Sequence, residues 1–168
     1  MARDAVSGLI AGAVGTVALN IATYADMAIR GRAPSEVPAR LVGTLTEKVG
    51  LDLASAGGGA ETRQHRQSGV GALLGYLVGL GIGTAYGALR PAMAAVPTPA
   101  AGLGLGLAAM AASDVPIVAL RVSDPRTWGL AGWLSDVIPH LIYGLVTAYV
   151  FAAISGDRAR RRWAWARR

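Results

Sequence analysis

The sequence predicts an all-α, polytopic membrane protein: four transmembrane helices and one amphipathic helix at the membrane interface. Three observations carry that expectation. Of 168 residues, 53% are hydrophobic and only 15% are charged, whereas a soluble domain carries about 25% charged residues. The apolar residues form long unbroken stretches, and four of these reach the roughly 20 residues that a helix rising about 1.5 Å per residue needs to cross a bilayer. Within those stretches a single residue, Asp114, is formally charged. Residues 1–168 fit one membrane domain.

The first span covers about residues 5–25. Its apolar core is too long for a secretory signal peptide, Asp4 sits beside Arg3 at its start, and Thr23–Ala25 is a poor cleavage site, so a retained helix is expected. In the connection that follows, Val37, Leu41, Leu45 and Val49 recur every four residues, with Leu51 just beyond. This spacing predicts an amphipathic helix over about residues 35–49, lying on the membrane surface. Ser35 can cap it, Pro38 suits its first turn, and Gly50 can close it. The polar, glycine-rich run from Ser55 to Ser68 reads as a flexible linker.

The second span covers about residues 69–89, and the prolines at 91, 97 and 99 separate it from the third, at about residues 100–120. A linker from Ser123 to Asp136 carries Trp128 and Trp133 as interfacial anchors and leads to the fourth span, about residues 137–155. In the basic tail, residues 156–168, Arg160, Arg161, Arg162, Trp163 and Trp165 alternate charge and aromatic surface beside a span. That pattern predicts an anchor to anionic lipid headgroups rather than a nucleic-acid site. Arg3, Arg90 and the tail arginines balance an equal number of basic residues on the opposite side. The density of the tail breaks the tie and places both termini in the cytoplasm.

In the second span Gly71, Gly75, Gly79, Gly83 and Gly87 repeat every four residues. Between apolar helices in lipid, small residues let backbones approach and gain van der Waals contact. The pattern predicts one close helix–helix contact, either within the chain or, as a glycine zipper, between copies in a homo-oligomer. The same spacing runs through Gly8, Gly12, Thr16, Asn20 and Tyr24, through Gly102, Gly106, Met110 and Asp114, and through His140, Gly144, Ala148 and Ala152. Each stripe of small residues thus continues into polar ones. A four-residue repeat drifts about 40° per step on a helix of 3.6 residues per turn, so these polar groups point near the bundle interior.

Alternating topology places Asn20, Tyr24, Asp26, Asp114, Asp136 and His140 in one leaflet, opposite the arginine-rich tail, and leaves the other leaflet nearly pure Ala, Gly, Leu and Val. An ionisable residue inside a span costs about 2.5–3.5 kcal/mol at the centre on insertion scales, so it needs a partner and marks a candidate function. An Asp114–His140 pair supports itself electrostatically. It serves either as an interhelical hydrogen bond that fixes register or as a proton or cation site. Pro116, two residues after Asp114, frees the carbonyl of Ala112.

Other chemistries are poorly supported. Cysteine is absent and the only histidines are His65 and His140, so no metal site and no cofactor is expected. No GxSxG, HExxH or Walker motif occurs, and the glycine runs at Gly79–Gly83 and Gly102–Gly106 lie inside apolar helices rather than in phosphate loops. An enzyme is therefore not expected.

The stretch SDVPIVALRVSDPRTWGLAGWLSDVIPHLIYGLVTA, from Ser113 to Ala148, resembles the YagU-like family of small bacterial inner-membrane proteins. The likeness lies in an acidic residue before a proline-containing apolar run, a polar linker, and a His-Leu-x-Tyr-Gly helix. The glycine-rich first span and its arginine- and proline-bearing connection are similar too. The resemblance implies a multi-pass protein of the bacterial inner membrane, with Asp114, His140, Tyr143 and Gly144 at the recurring polar positions, and implies no reaction. Two functions are open: a non-enzymatic accessory or structural component that docks to itself or to a membrane partner subunit, and a small proton- or cation-linked channel or transporter using the Asp/His cluster.

Overall fold

The computed structural model describes residues 2–53 and 59–166, with side chains as far as Gly156. Among them all regular structure is helical: α1 (Ala2–Arg30), α2 (Val37–Lys48), α3 (Ala60–Leu89), α4 (Thr98–Ala119) and α5 (Gly129–Ala166), with single 3-10 turns at Arg90–Met93 and Pro125–Thr127. Each of α1, α3, α4 and α5 is long and apolar enough to cross a membrane, and a third or less of each apolar window is buried. The remainder faces outward, as Val14, Val17 and Ile21 do on α1, Leu73 and Leu77 on α3, and Leu103 and Leu107 on α4.

Two helices start earlier than their hydropathy indicates. Glu61–Ser68 is not a linker but the first part of α3, because Glu, Arg and Gln are strong helix formers even where they are too polar for a span. This extension is tied back to the end of the preceding segment: Arg63 pairs with Asp52 at 3.0 Å, and Arg66 donates to the carbonyl of Leu53. Likewise α5 begins at Gly129, so most of the expected linker from Ser123 to Asp136 is helical and only its first residues turn. There Asp124 accepts the backbone N–H of Arg126 at 3.0 Å, and Trp128 donates to Ser123 at 2.9 Å.

Helix α2 lies against this extension of α3. Its buried residues are Ala39, Val42 and Gly43, with Gly43 against Gln67 and Pro38 against Gly71. Ser35 accepts the N–H of Val37 at 3.3 Å, and Gly50 follows the helix with a φ of +70°. The four-residue stripe points elsewhere: Val37 and Leu41 are half-buried, and Leu45 and Val49 are exposed.

The long helices pack in the order α3, α1, α5, α4, with α3 and α4 meeting to a lesser extent. Glycine sets the close approaches. A Cβ on Gly12 would stand 2.7 Å from the carbonyl oxygen of Gly79, and one on Gly83 would stand 2.6 Å from the Cα of Gly12. Between α4 and α5, a Cβ on Gly144 would stand 2.7 Å from the Cα of Gly106. At one end of the bundle Ala11, Tyr86, Ala101, Leu105, Ala148 and Phe151 form the core, with Tyr86 and Phe151 edge-on at a 5.2 Å ring separation. The other end carries the polar side chains.

A candidate proton site between two helices

Asp136 and His140 are four residues apart on α5 and so share one face. The His140 Nδ1 lies 3.2 Å from Asp136 Oδ1 and 2.8 Å from the Asp136 backbone oxygen. Both neighbours are acceptors, so Nδ1 carries the hydrogen of the neutral ring. The other ring nitrogen, Nε2, faces the Ser113 hydroxyl of α4 at 3.4 Å. Ser113 also reaches the carbonyl of Ala109 at 2.9 Å.

The next residue on α4, Asp114, is an electrostatic neighbour of both Asp136 and His140. The Asp136 Oδ2 atom is buried with no hydrogen-bond partner among the described residues. Neighbouring ionised carboxylates repel, and a proton bound by one of them relieves the repulsion. The close α4–α5 approach makes this proximity possible, since a Cβ on Gly106 would stand 2.7 Å from the backbone oxygen of His140. Pro116 and Pro139 sit inside the two helices beside the cluster, where each removes one backbone hydrogen bond. The carboxylate partner of His140 is thus Asp136 rather than the expected Asp114, which remains an electrostatic neighbour.

Beside the cluster, Asp26 at the end of α1 binds Arg30 at 2.6 Å and Arg32 at 2.5 Å. It also accepts from Ser135 at 3.2 Å, and Arg30 donates to the same hydroxyl. Because Ser135 precedes Asp136, this knot fastens α1 to α5 at the cluster's edge. Asn20 is separate, donating to the Tyr76 hydroxyl of α3 at 3.2 Å. Tyr24 is 63% exposed and faces away from the bundle. Tyr143 is 1% exposed and donates to the carbonyl of Gly79 at 2.6 Å, one helical turn along α5 from His140.

Of the packing glycines, Gly79, Gly83 and Gly87 sit against α1, Gly71 against Pro38 and Gly144 against α4, while nothing approaches Gly75. The side chains of Arg160, Arg161, Arg162, Trp163 and Trp165 lie outside those described. No set of three or more His, Asp or Glu side chains is arranged to hold a metal among the described residues.

Sequence reasoning missed Ser113 and Ser135 as members of the site. Each adjoins a named aspartate, but its role depends on a neighbouring helix. It also missed that the apolar half of the bundle is not purely apolar: Ser7, Tyr86 and Thr147 are buried there. Compared with known proteins, the chain matches no family model, no curated protein and no solved structure. The chemistry of the site is therefore read from its geometry: an imidazole with a carboxylate on one nitrogen and a hydroxyl on the other, and a second carboxyl as a neighbour.

Proposed function

We propose that the chain is a small multi-pass membrane protein that moves protons through the Asp114–Asp136–His140 cluster, as a channel or as a proton-linked carrier. The observation that carries this reading is the Asp136–His140 pair, with Nδ1 3.2 Å from Oδ1 and Oδ2 buried without a partner among the described residues, beside a second carboxyl, Asp114. A contact that only fixed helix register would need one acceptor and one donor; here a second carboxyl adds repulsion unless a proton is bound. Ionisable groups within membrane helices cost about 2.5–3.5 kcal/mol at the centre on insertion scales and mark proton and ion pathways.

Membrane insertion is supported by the four apolar helices and their outward apolar faces. The resemblance of the third and fourth spans to inner-membrane proteins, with the arginine-rich tail, favours a bacterial inner membrane and cytoplasmic termini. The accessory-subunit reading comes second. Most of the glycines that could dock a partner are packed against helices of the same chain, and only outward ones such as Gly75 and Gly104 stay open for one.

Proton flux into proteoliposomes tests the proposal. The wild-type chain dissipates an imposed pH gradient, and Asp114→Asn, which keeps a hydrogen-bond donor but holds no exchangeable acid, slows that dissipation by about tenfold or more. Equal flux from the two folded proteins would remove the cluster from any transport role.

A further inference from the structure

The polar groups of α5 do not end at His140. Asp136, His140, Tyr143 and Thr147 follow one another at i, i+4, i+7 and i+11, a single helix face about 17 Å long at helical rise. Tyr143 and Thr147 are 1% and 0% exposed. The Tyr143 hydroxyl reaches Gly79 on α3 at 2.6 Å, and the Thr147 hydroxyl lies where a Cβ on Gly15 of α1 would be. One turn further, Phe151 packs edge-on against Tyr86 of α3. Arg90 follows Tyr86 by four residues and donates to the carbonyls of Met93 and Val96, where α3 ends.

Two of these hydroxyls differ from the rest of the bundle. Ser7, Thr16 and Thr84 each donate to the carbonyl four residues before, which is how helical hydroxyls are ordinarily satisfied. Thr147 Oγ1 and Tyr86 Oη are buried and make no hydrogen bond of ordinary geometry among the described residues, with Tyr143 a polar neighbour of the first and Arg90 of the second. A buried hydroxyl without a partner is destabilising, and valine or phenylalanine would fill the same space without that cost. Each hydroxyl both donates and accepts, and a single water bridging such groups completes a path for protons.

Resting on the proton-site reading, we propose that Tyr143, Thr147 and Tyr86 form a hydroxyl line which, with internal water, conducts protons between the Asp114–Asp136–His140 cluster and the Arg90 end of the bundle. The cluster then loads and unloads protons at one end, and the line carries them past the glycine-packed middle. The test compares Thr147→Val, Tyr86→Phe and Asp114→Asn with wild type, as full-length chains in proteoliposomes. Each hydroxyl deletion nearly preserves shape, and circular dichroism and monodispersity check folding. The line requires that Thr147→Val and Tyr86→Phe each cut proton flux by about tenfold or more, the rate equivalent of losing one relay hydrogen bond. It also requires that the protonated-carboxyl infrared band of the cluster be retained. Flux within about twofold of wild type in both variants, with Asp114→Asn inactive, overturns the line and keeps the cluster. Unchanged flux in all three overturns the cluster as well.

Discussion

Asp136 uses its two oxygens differently. Oδ1 pairs with the imidazole of His140, and Oδ2 is buried without a hydrogen-bond partner among the described residues, with Asp114 as a neighbouring carboxyl. Removing either neighbour therefore has unequal consequences. Asp114→Asn removes the like charge beside Asp136 and supplies an amide donor, and is expected to cost less than about 1 kcal/mol. Asp136→Ala strips His140 of its carboxylate, which is expected to cost about 1–3 kcal/mol. Reversible denaturation in mixed micelles reads both values, and a larger loss for Asp114→Asn than for Asp136→Ala would contradict the pairing. Asp114 was visible in the sequence as the one charge inside a span. That Asp114 adjoins Asp136 as well as His140 was not, since it depends on how far α4 is shifted along α5.

Among the helices, the glycine spacing announced close packing without saying which glycines take part. Gly144 of α5 meets Gly106 backbone, whereas Gly104, two residues away on α4, meets nothing within 4 Å. Gly144→Ala is thus expected to cost about 1–3 kcal/mol by overpacking against atoms that cannot move aside. Gly104→Ala is expected to be neutral or to stabilise by about 0.5–1 kcal/mol through helix propensity. The same denaturation measurement separates them, and equal effects would show that the two helices do not meet through Gly144. Drift explains why the α1 stripe changes character. Gly8, Gly12 and Thr16 face inward, but about 40° of rotation per four residues turns Tyr24 out of the bundle. Span number and order were legible because hydropathy alone sets them. The extra turns at the starts of α3 and α5 were not, because a hydropathy window closes at the first polar residues while helix propensity continues through Glu61–Ser68.

At the level of the whole molecule, the two ends of the bundle differ. One is closed by the Ala11–Tyr86–Leu105–Phe151 core, and the other gathers two carboxyls, an imidazole and the Asp26–Arg30–Arg32 knot. Glycine packing in the middle and outward apolar faces on all four long helices suit a bundle surrounded by lipid. In that setting the cluster cannot be a set of independent charges, and its protonation state becomes the property on which transport depends. Infrared difference spectroscopy of the chain in lipid vesicles measures that state directly. The account predicts a carboxylic-acid C=O band that grows as the pH is lowered from neutral to mildly acidic, is lost in Asp114→Asn and persists in Thr147→Val. A wild-type spectrum with no such band anywhere in that range would contradict it.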